Sequence, residues 1–147
     1  MYQMTHATTI ADLLGGFEVL HDRIERETEL EQLVRAGIPV QAVRTLAEST
    51  ATTLTSLQEV AGIDRSTFAR RVRTKARLKL DESDRIVRIA RIAARAVETL
   101  GRENGLAWLH ERNGALGDRI PIELLQTDIG ATQVEQVLGR IDYGVFS

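Results

Sequence analysis

The sequence predicts an all-α protein, and three observations carry that reading. Apolar residues recur at helical spacings through most of the chain. Strand signatures are weak, with little apolar–polar alternation, few aromatics and no Asn-Gly or Asp-Gly turn between β-branched runs. Helix punctuation is plentiful, with glycines at 37, 62 and 101 as stops and Asp64 and Asp81 as caps.

In chain order, residues before about Asp12 read as a flexible tail. From Gly16 onward, Phe17, Leu20 and Ile24, then Leu30, Leu33 and Val34, mark one face of a long charged helix that Gly37 ends. Pro39 opens a short helix with Val43, Leu46 and Ala47 on its apolar side, and Ser49 to Thr53 form a loop. Leu54, Leu57, Val60 and Ala61 then make an apolar face that Gly62 breaks. Asp64 caps the next helix, in which Phe68 and Val72 lie one turn apart on the inside. Two short helices joined by a glycine-containing turn of about three residues form a helix-turn-helix. Away from Phe68 the second helix presents Ser66, Arg70 and Arg73, with Thr67 and Ala69 beside them and Arg65, Arg71, Lys75, Arg77 and Lys79 around them.

Asp81, with Asp84 in the first turn, starts a long helix. Ile86, Ile89, Ala90, Ala93, Val97 and Leu100 give it one apolar stripe, and Val87, Ile92 and Ala96 lie partly outside that stripe. A helix apolar on two sides is sandwiched between elements or contributes to an oligomer interface. Three short helices follow. The first covers about Gly105 to Glu111, with Trp108 as a core anchor beside Leu109; the second starts at Pro121 and buries Ile122, Leu124 and Leu125. The third, capped by Thr132, carries Val134, Val137, Leu138 and Ile141. The chain closes on Tyr143, Gly144, Val145, Phe146 and Ser147, an apolar tail that either tucks under its own domain or enters a partner's groove. The organisation expected is an N-terminal helical segment over 1–37, a helix-turn-helix DNA-binding region over 38–80 and a C-terminal helical domain over 81–147.

Composition narrows the function. Hydrophobic residues at 43% with charged residues at 27% suit a globular chain and argue against disorder throughout. The absence of cysteine excludes disulfides, a thiol nucleophile and Cys-rich zinc sites. No apolar run approaches the ~20 residues of a membrane span, and the first residues lack a secretory signal, so the protein reads as cytoplasmic. His6, His21 and His110 sit in separate segments, and no phosphate loop, dinucleotide turn or nucleophile elbow is present. An enzyme would need an active site assembled from residues distant in sequence. No catalytic residue, cofactor or metal is expected.

Charge distribution is more telling than the net −2. Residues 64–80 hold seven basic and one acidic side chain, between flanks of net −5 and −3. A compact cationic segment on an acidic protein suits a polyanion, although a single charge run can equally be a solvated helix face. The turn, the outward arginines and the local charge together point to DNA. The flanking Lys and Arg would neutralise phosphates while the second helix reads base edges. The candidate contacts are Arg65, Ser66, Thr67, Arg70, Arg71, Arg73 and Lys75.

Several strings carry a resemblance. Arg70-Arg71, Leu80-Asp81-Glu82-Ser83-Asp84-Arg85 and Arg88-Ile89-Ala90-Arg91, with Ala107-Trp108-Leu109, Asn113 and Leu116-Gly117, resemble the Xre antitoxins of RES–Xre modules, relatives of the ParS-type antitoxins. So do Ile120-Pro121, Leu124-Leu125, Thr127, Gly130, Val134, Leu138-Gly139-Arg140-Ile141 and Tyr143-Gly144-Val145. The resemblance runs from about Gly37 to the C-terminus and leaves the acidic N-terminal segment outside. It implies a Xre-like helix-turn-helix followed by a helical toxin-binding domain, a homodimer, and neutralisation of a RES-domain toxin that consumes NAD, which is the toxin's substrate and not this chain's ligand. It also implies that the C-terminal end approaches the toxin's active site, which makes Arg140 and Tyr143 to Ser147 the candidate toxin contacts. The alternative is a free-standing dimeric helix-turn-helix regulator whose C-terminal domain senses a ligand or only dimerises.

Overall fold

The computed structural model of the chain describes residues 6–142 and residue 144, and helices are the only regular elements among them. These are α1 (His6–Leu13), α2 (Gly16–Leu20), α3 (Glu27–Ala36), α4 (Gln41–Ser49), α5 (Leu54–Ala61), α6 (Arg65–Thr74), α7 (Leu80–Leu100), α8 (Arg102–Leu109) and α9 (Asp128–Asp142). Two 3-10 turns, Gly114–Leu116 and Pro121–Gln126, lie between α8 and α9. Isolated bridges pair Pro39 with Arg77 and Asn113 with Arg119. Among the described residues no helix is long and apolar enough to cross a membrane.

The axle is α7, which at 21 residues is about 30 Å long. It packs against α1, α3 and α5 and against α8, α9 and the Pro121–Gln126 turn. Its two apolar groups are therefore both covered within the chain: Ile86, Ile89, Ala90 and Ala93 are buried, and so are Val87, Ile92 and Ala96. The two-sided pattern reports a sandwiched helix. Ile10, Leu30, Leu46, Leu57, Ile89, Leu109 and Leu125, drawn from seven different elements, are fully buried members of one core. Contact between α7 and α8 is close because Gly105 has no side chain; a Cβ there would lie 2.6 Å from the Ala96 carbonyl oxygen.

The N-terminal part departs from the sequence reading. The expected tail contains α1, which buries Ala7, Ile10, Ala11 and Leu13 and is followed by buried Leu14. The long helix expected from Gly16 to Gly37 is interrupted between Leu20 and Glu27. His21 ends α2 in the left-handed region at φ 57°, and α3 begins where the Glu29 carboxylate accepts the backbone N–H groups of Glu25 and Arg26, each at 2.9 Å. Phe17 points outward at 66% exposure, so the apolar face passes to Leu20, Ile24, Leu30 and Leu33. Arg91 of α7 grips the Glu27 carboxylate of α3 through both guanidinium ends, at 2.7 and 2.8 Å. That hydrogen bonding holds the Glu27 carboxyl below the usual carboxylate range against the opposing effect of burial.

Toward the C-terminus, α8 starts at Arg102, and Leu109 is fully buried while Trp108 packs half-buried against the core. The start of α9 is Asp128, four residues before the expected cap. The Thr127 hydroxyl accepts the Gly130 N–H at 3.0 Å, and Thr132 is an interior residue donating to the Asp128 carbonyl. Gly130 sits against the preceding turn, where a Cβ would come within 2.0 Å of the Leu124 carbonyl oxygen.

Core membership of α1 is testable by urea denaturation. Ile10→Ala is expected to cost about 2–5 kcal/mol, the range for a large aliphatic truncated in a packed core. Phe17→Ala, on an exposed position, is expected within about 0.5 kcal/mol of the parent. Equal, small effects of the two would return α1 to the status of a tail.

Candidate nucleic-acid interface and partner-binding surface

The helix-turn-helix is α5 followed by α6. Thr53 caps α5 by accepting the Ser56 N–H at 3.1 Å. Gly62 then turns the chain at φ 70°, and Ile63 drops into the core with its N–H on the Gln58 carbonyl. Behind this turn stands Arg85 of α7, whose guanidinium donates to the Ala61 carbonyl at 3.0 Å. A Cβ on Gly62 would lie 3.1 Å from that guanidinium, so α7 closes the turn from beneath.

In α6 Phe68 is buried and Val72 half-buried on the inner face. Arg65, Ser66, Ala69, Arg70, Arg73 and Thr74 are exposed, Thr67 is half-buried, and Lys75 ends the helix exposed with φ 56°. The hydroxyls of Ser66 and Thr67 donate to the Asp64 carboxylate at 2.7 and 3.3 Å, and the Ser66 bond chiefly holds that carboxyl below its ordinary range. A donating hydroxyl keeps acceptor lone pairs for another group.

Arg71 does not belong to this surface, contrary to the sequence reading. It is 6% exposed and forms a buried ion pair with Glu82 of α7. Three residues past Phe68, it faces inward with it. The same Glu82 oxygen accepts the Lys79 backbone N–H at 2.8 Å, while Ser83 accepts the Ile38 N–H at 3.0 Å. Arg77 donates to the Gly37 carbonyl at 2.7 Å. Arg44 of α4 escaped the sequence reading. It is exposed, and with Arg65 it flanks a cleft of about 360 Å³ between α4, α5 and α6. Its signal was that it is the one basic residue of α4, a helix that buries Ala42, Val43, Leu46 and Ala47. Among the described residues no group of three or more His, Asp or Glu side chains is placed to hold a metal ion.

The second candidate surface lies at the end of α9. Arg140 is exposed there, Asp142 pairs with Arg95 of α7 at 3.1 Å, and Gly144 turns the chain at φ 71° with its N–H on the Ile141 carbonyl. Tyr143, Val145, Phe146 and Ser147 lie outside the described residues.

A cationic recognition helix joined by a long shared helix to a second small helical unit defines a DNA-binding regulator with a partner-binding domain. Comparisons with known proteins give the family. Residues 29–91 match the antitoxin Xre-like helix-turn-helix domain, and residues 95–144 match the antitoxin Xre/MbcA/ParS C-terminal toxin-binding domain. Antitoxin Xre of Yersinia enterocolitica is 31% identical over 83% of this chain and 84% of the relative. That of Photorhabdus laumondii is 28% identical over 80% and 81%, and that of Pseudomonas putida 36% identical over 92% and 77%. The chain belongs to the Xre antitoxin family. It is an antitoxin and not an enzyme, with a toxin and DNA as its partners, which sets aside the free-standing regulator.

The Arg71–Glu82 pair can be tested by denaturation. Glu82→Ala strands a buried guanidinium and is expected to cost about 3–5 kcal/mol, whereas replacing both partners, Arg71→Met with Glu82→Leu, recovers most of that loss. A double variant as unstable as the single one contradicts this account of the pair.

Proposed function

We propose that this antitoxin neutralises a RES-domain toxin that consumes NAD, and that it represses its own operon from the cytoplasm. In this reading residues 38–80 read DNA and residues 81–147 hold the toxin. The observation that carries the DNA half is the exposed outer face of α6, where Arg70 and Arg73 project beside Arg65, Ser66, Thr67 and Lys75. These side chains have the chemistry of major-groove readers and phosphate neutralisers. The toxin half is supported by the match of residues 95–144 to a toxin-binding domain and by the resemblance of the motif string over 80–146 to antitoxins of RES–Xre modules. A homodimer suits this function, because a twofold protein reads two half-sites about 34 Å apart together. Leu80, 57% exposed on the first residue of α7, is the kind of apolar group such an interface covers.

For neutralisation, Arg140 contacts the toxin beside the tail, and Tyr143, Gly144, Val145, Phe146 and Ser147 border its NAD pocket.

Two outcomes check this function. Arg70→Ala with Arg73→Ala is expected to abolish binding to the native promoter in a mobility-shift assay, at ~1–3 kcal/mol per lost contact, with the helical circular dichroism unchanged. Unaltered promoter affinity removes α6 from DNA reading. Deleting residues 143–147 is expected to release toxin activity in a co-expression growth assay while promoter binding persists. Full protection at equal abundance transfers neutralisation to the body of the C-terminal domain.

A further inference from the structure

Between the Gly114–Leu116 turn and the outer face of α9 lies a cleft of about 430 Å³. Its polar lining is Arg119, Gln133, Gln136 and Arg140, and Leu116 and Val137, both anchored in the core, form its floor. Gln133, Gln136 and Arg140 are spaced three and four apart, so they share one face of α9. Arg119 reaches the cleft from a loop that is well pinned. The Asn113 N–H donates to the Arg119 carbonyl at 3.0 Å, the Asp118 N–H returns to the Asn113 carbonyl at 2.9 Å, and Asn113 Oδ1 accepts the Ala115 N–H at 2.9 Å.

The charge of this cleft sets it apart. The described residues that line it include two guanidinium groups and no carboxylate, although residues 81–147 are net −3. Three other arginines of this half meet acids of their own chain: Arg85 with Asp81 at 3.4 Å, Arg88 with Asp84 at 3.1 Å and Arg95 with Asp142 at 3.1 Å. Arg119 is exposed and has no ion-pair partner among the described residues. Guanidinium forks bind carboxylates through paired N–H groups, and a glutamine amide adds a donor and an acceptor for the neighbouring backbone.

We propose that this cleft is a docking site for an acidic element of the toxin, with Arg119 and Arg140 receiving Asp or Glu side chains and Gln133 and Gln136 bonding the chain that carries them. Its occupant is a protein carboxylate, because the cleft lies inside the segment that matches the toxin-binding domain and in the acidic half of the chain, which repels a nucleic-acid backbone. This inference rests on toxin binding by residues 95–144 and is independent of the toxin's RES identity.

The test uses the full chain and the toxin of its own operon, with affinity measured by calorimetry and promoter binding measured in parallel. Arg119→Glu is expected to weaken the toxin complex at least tenfold and to steepen toxin-dependent growth arrest, with melting temperature and promoter affinity unchanged. Arg119→Lys, which keeps the charge and loses the paired N–H fork, is expected to fall between the wild type and Arg119→Glu. Gln133→Glu with Gln136→Glu, which places acids in the same cleft from the helix side, is expected to repeat the loss and serves if the loop variant is unstable. Wild-type affinity is expected to fall more steeply with salt than that of Arg119→Ala. Tight toxin binding by both acidic variants overturns the cleft as a docking site, and so does a loss of promoter affinity with toxin affinity intact, which assigns the cleft to DNA. Failure of the wild-type chain to bind the toxin is a different result and removes the toxin-binding reading itself.

Discussion

Glu82 receives the guanidinium of Arg71 and the backbone N–H of Lys79 on one carboxylate oxygen, and most of the DNA-binding half is organised around that point. Next to it Ser83 accepts the Ile38 N–H and Arg85 donates to the Ala61 carbonyl. The first turns of α7 thus fix the recognition helix, the α3–α4 junction and the end of α5. Burying two charges is costly, and an apolar pair could supply equal packing. What the ion pair adds is direction, because any rotation or slip of α6 would separate two buried charges with no water to replace the partner.

The same helix continues into the other half. Residues 29–91 and 95–144 match two domain families, and α7 runs from Leu80 to Leu100 across the break between them. Its inner surfaces are taken up by α1, α3, α5, α8 and α9. The groups left for partners are therefore on the outside of the flanking helices, with the arginines of α6 on one element and the Arg119–Arg140 cleft on another. One core carries two chemically distinct cationic surfaces. The first suits a phosphate backbone and base edges; the second suits carboxylates presented by a folded protein.

Legibility in the sequence followed how local each signal was. The helix-turn-helix was readable because Gly62, Ile63, Asp64 and Phe68 specify the turn within seven residues. Helix α1 was missed although Ala7, Ile10, Ala11 and Leu14 stand at helical spacing, because they fall among small polar residues near the chain end. The break at His21–Arg26 was hidden because Glu and Arg suit a helix interior as well as a loop. Arg71 read as one more cation in a basic run. Its register with Phe68 was visible, but its partner Glu82 lies eleven residues away on another helix. Thr127 was passed over as the cap of α9 because Gly130 looks like a breaker. Only the packed structure shows the Leu124 carbonyl that forbids a side chain there. The Arg119–Arg140 cleft had no local signature at all, because it joins a loop to a helix face twenty-one residues further on.

On this account one chain meets DNA and toxin with separate surfaces on a shared scaffold. Hydrogen exchange by mass spectrometry on the antitoxin alone, with its promoter, and with its toxin tests this most directly. Promoter DNA is expected to slow exchange in α6 and the turn before it, leaving residues 114–142 unchanged. The toxin is expected to slow exchange across residues 114–120 and the C-terminal half of α9, leaving α6 unchanged. Protection of α6 by the toxin, or of the α9 end by DNA, would contradict two separate surfaces.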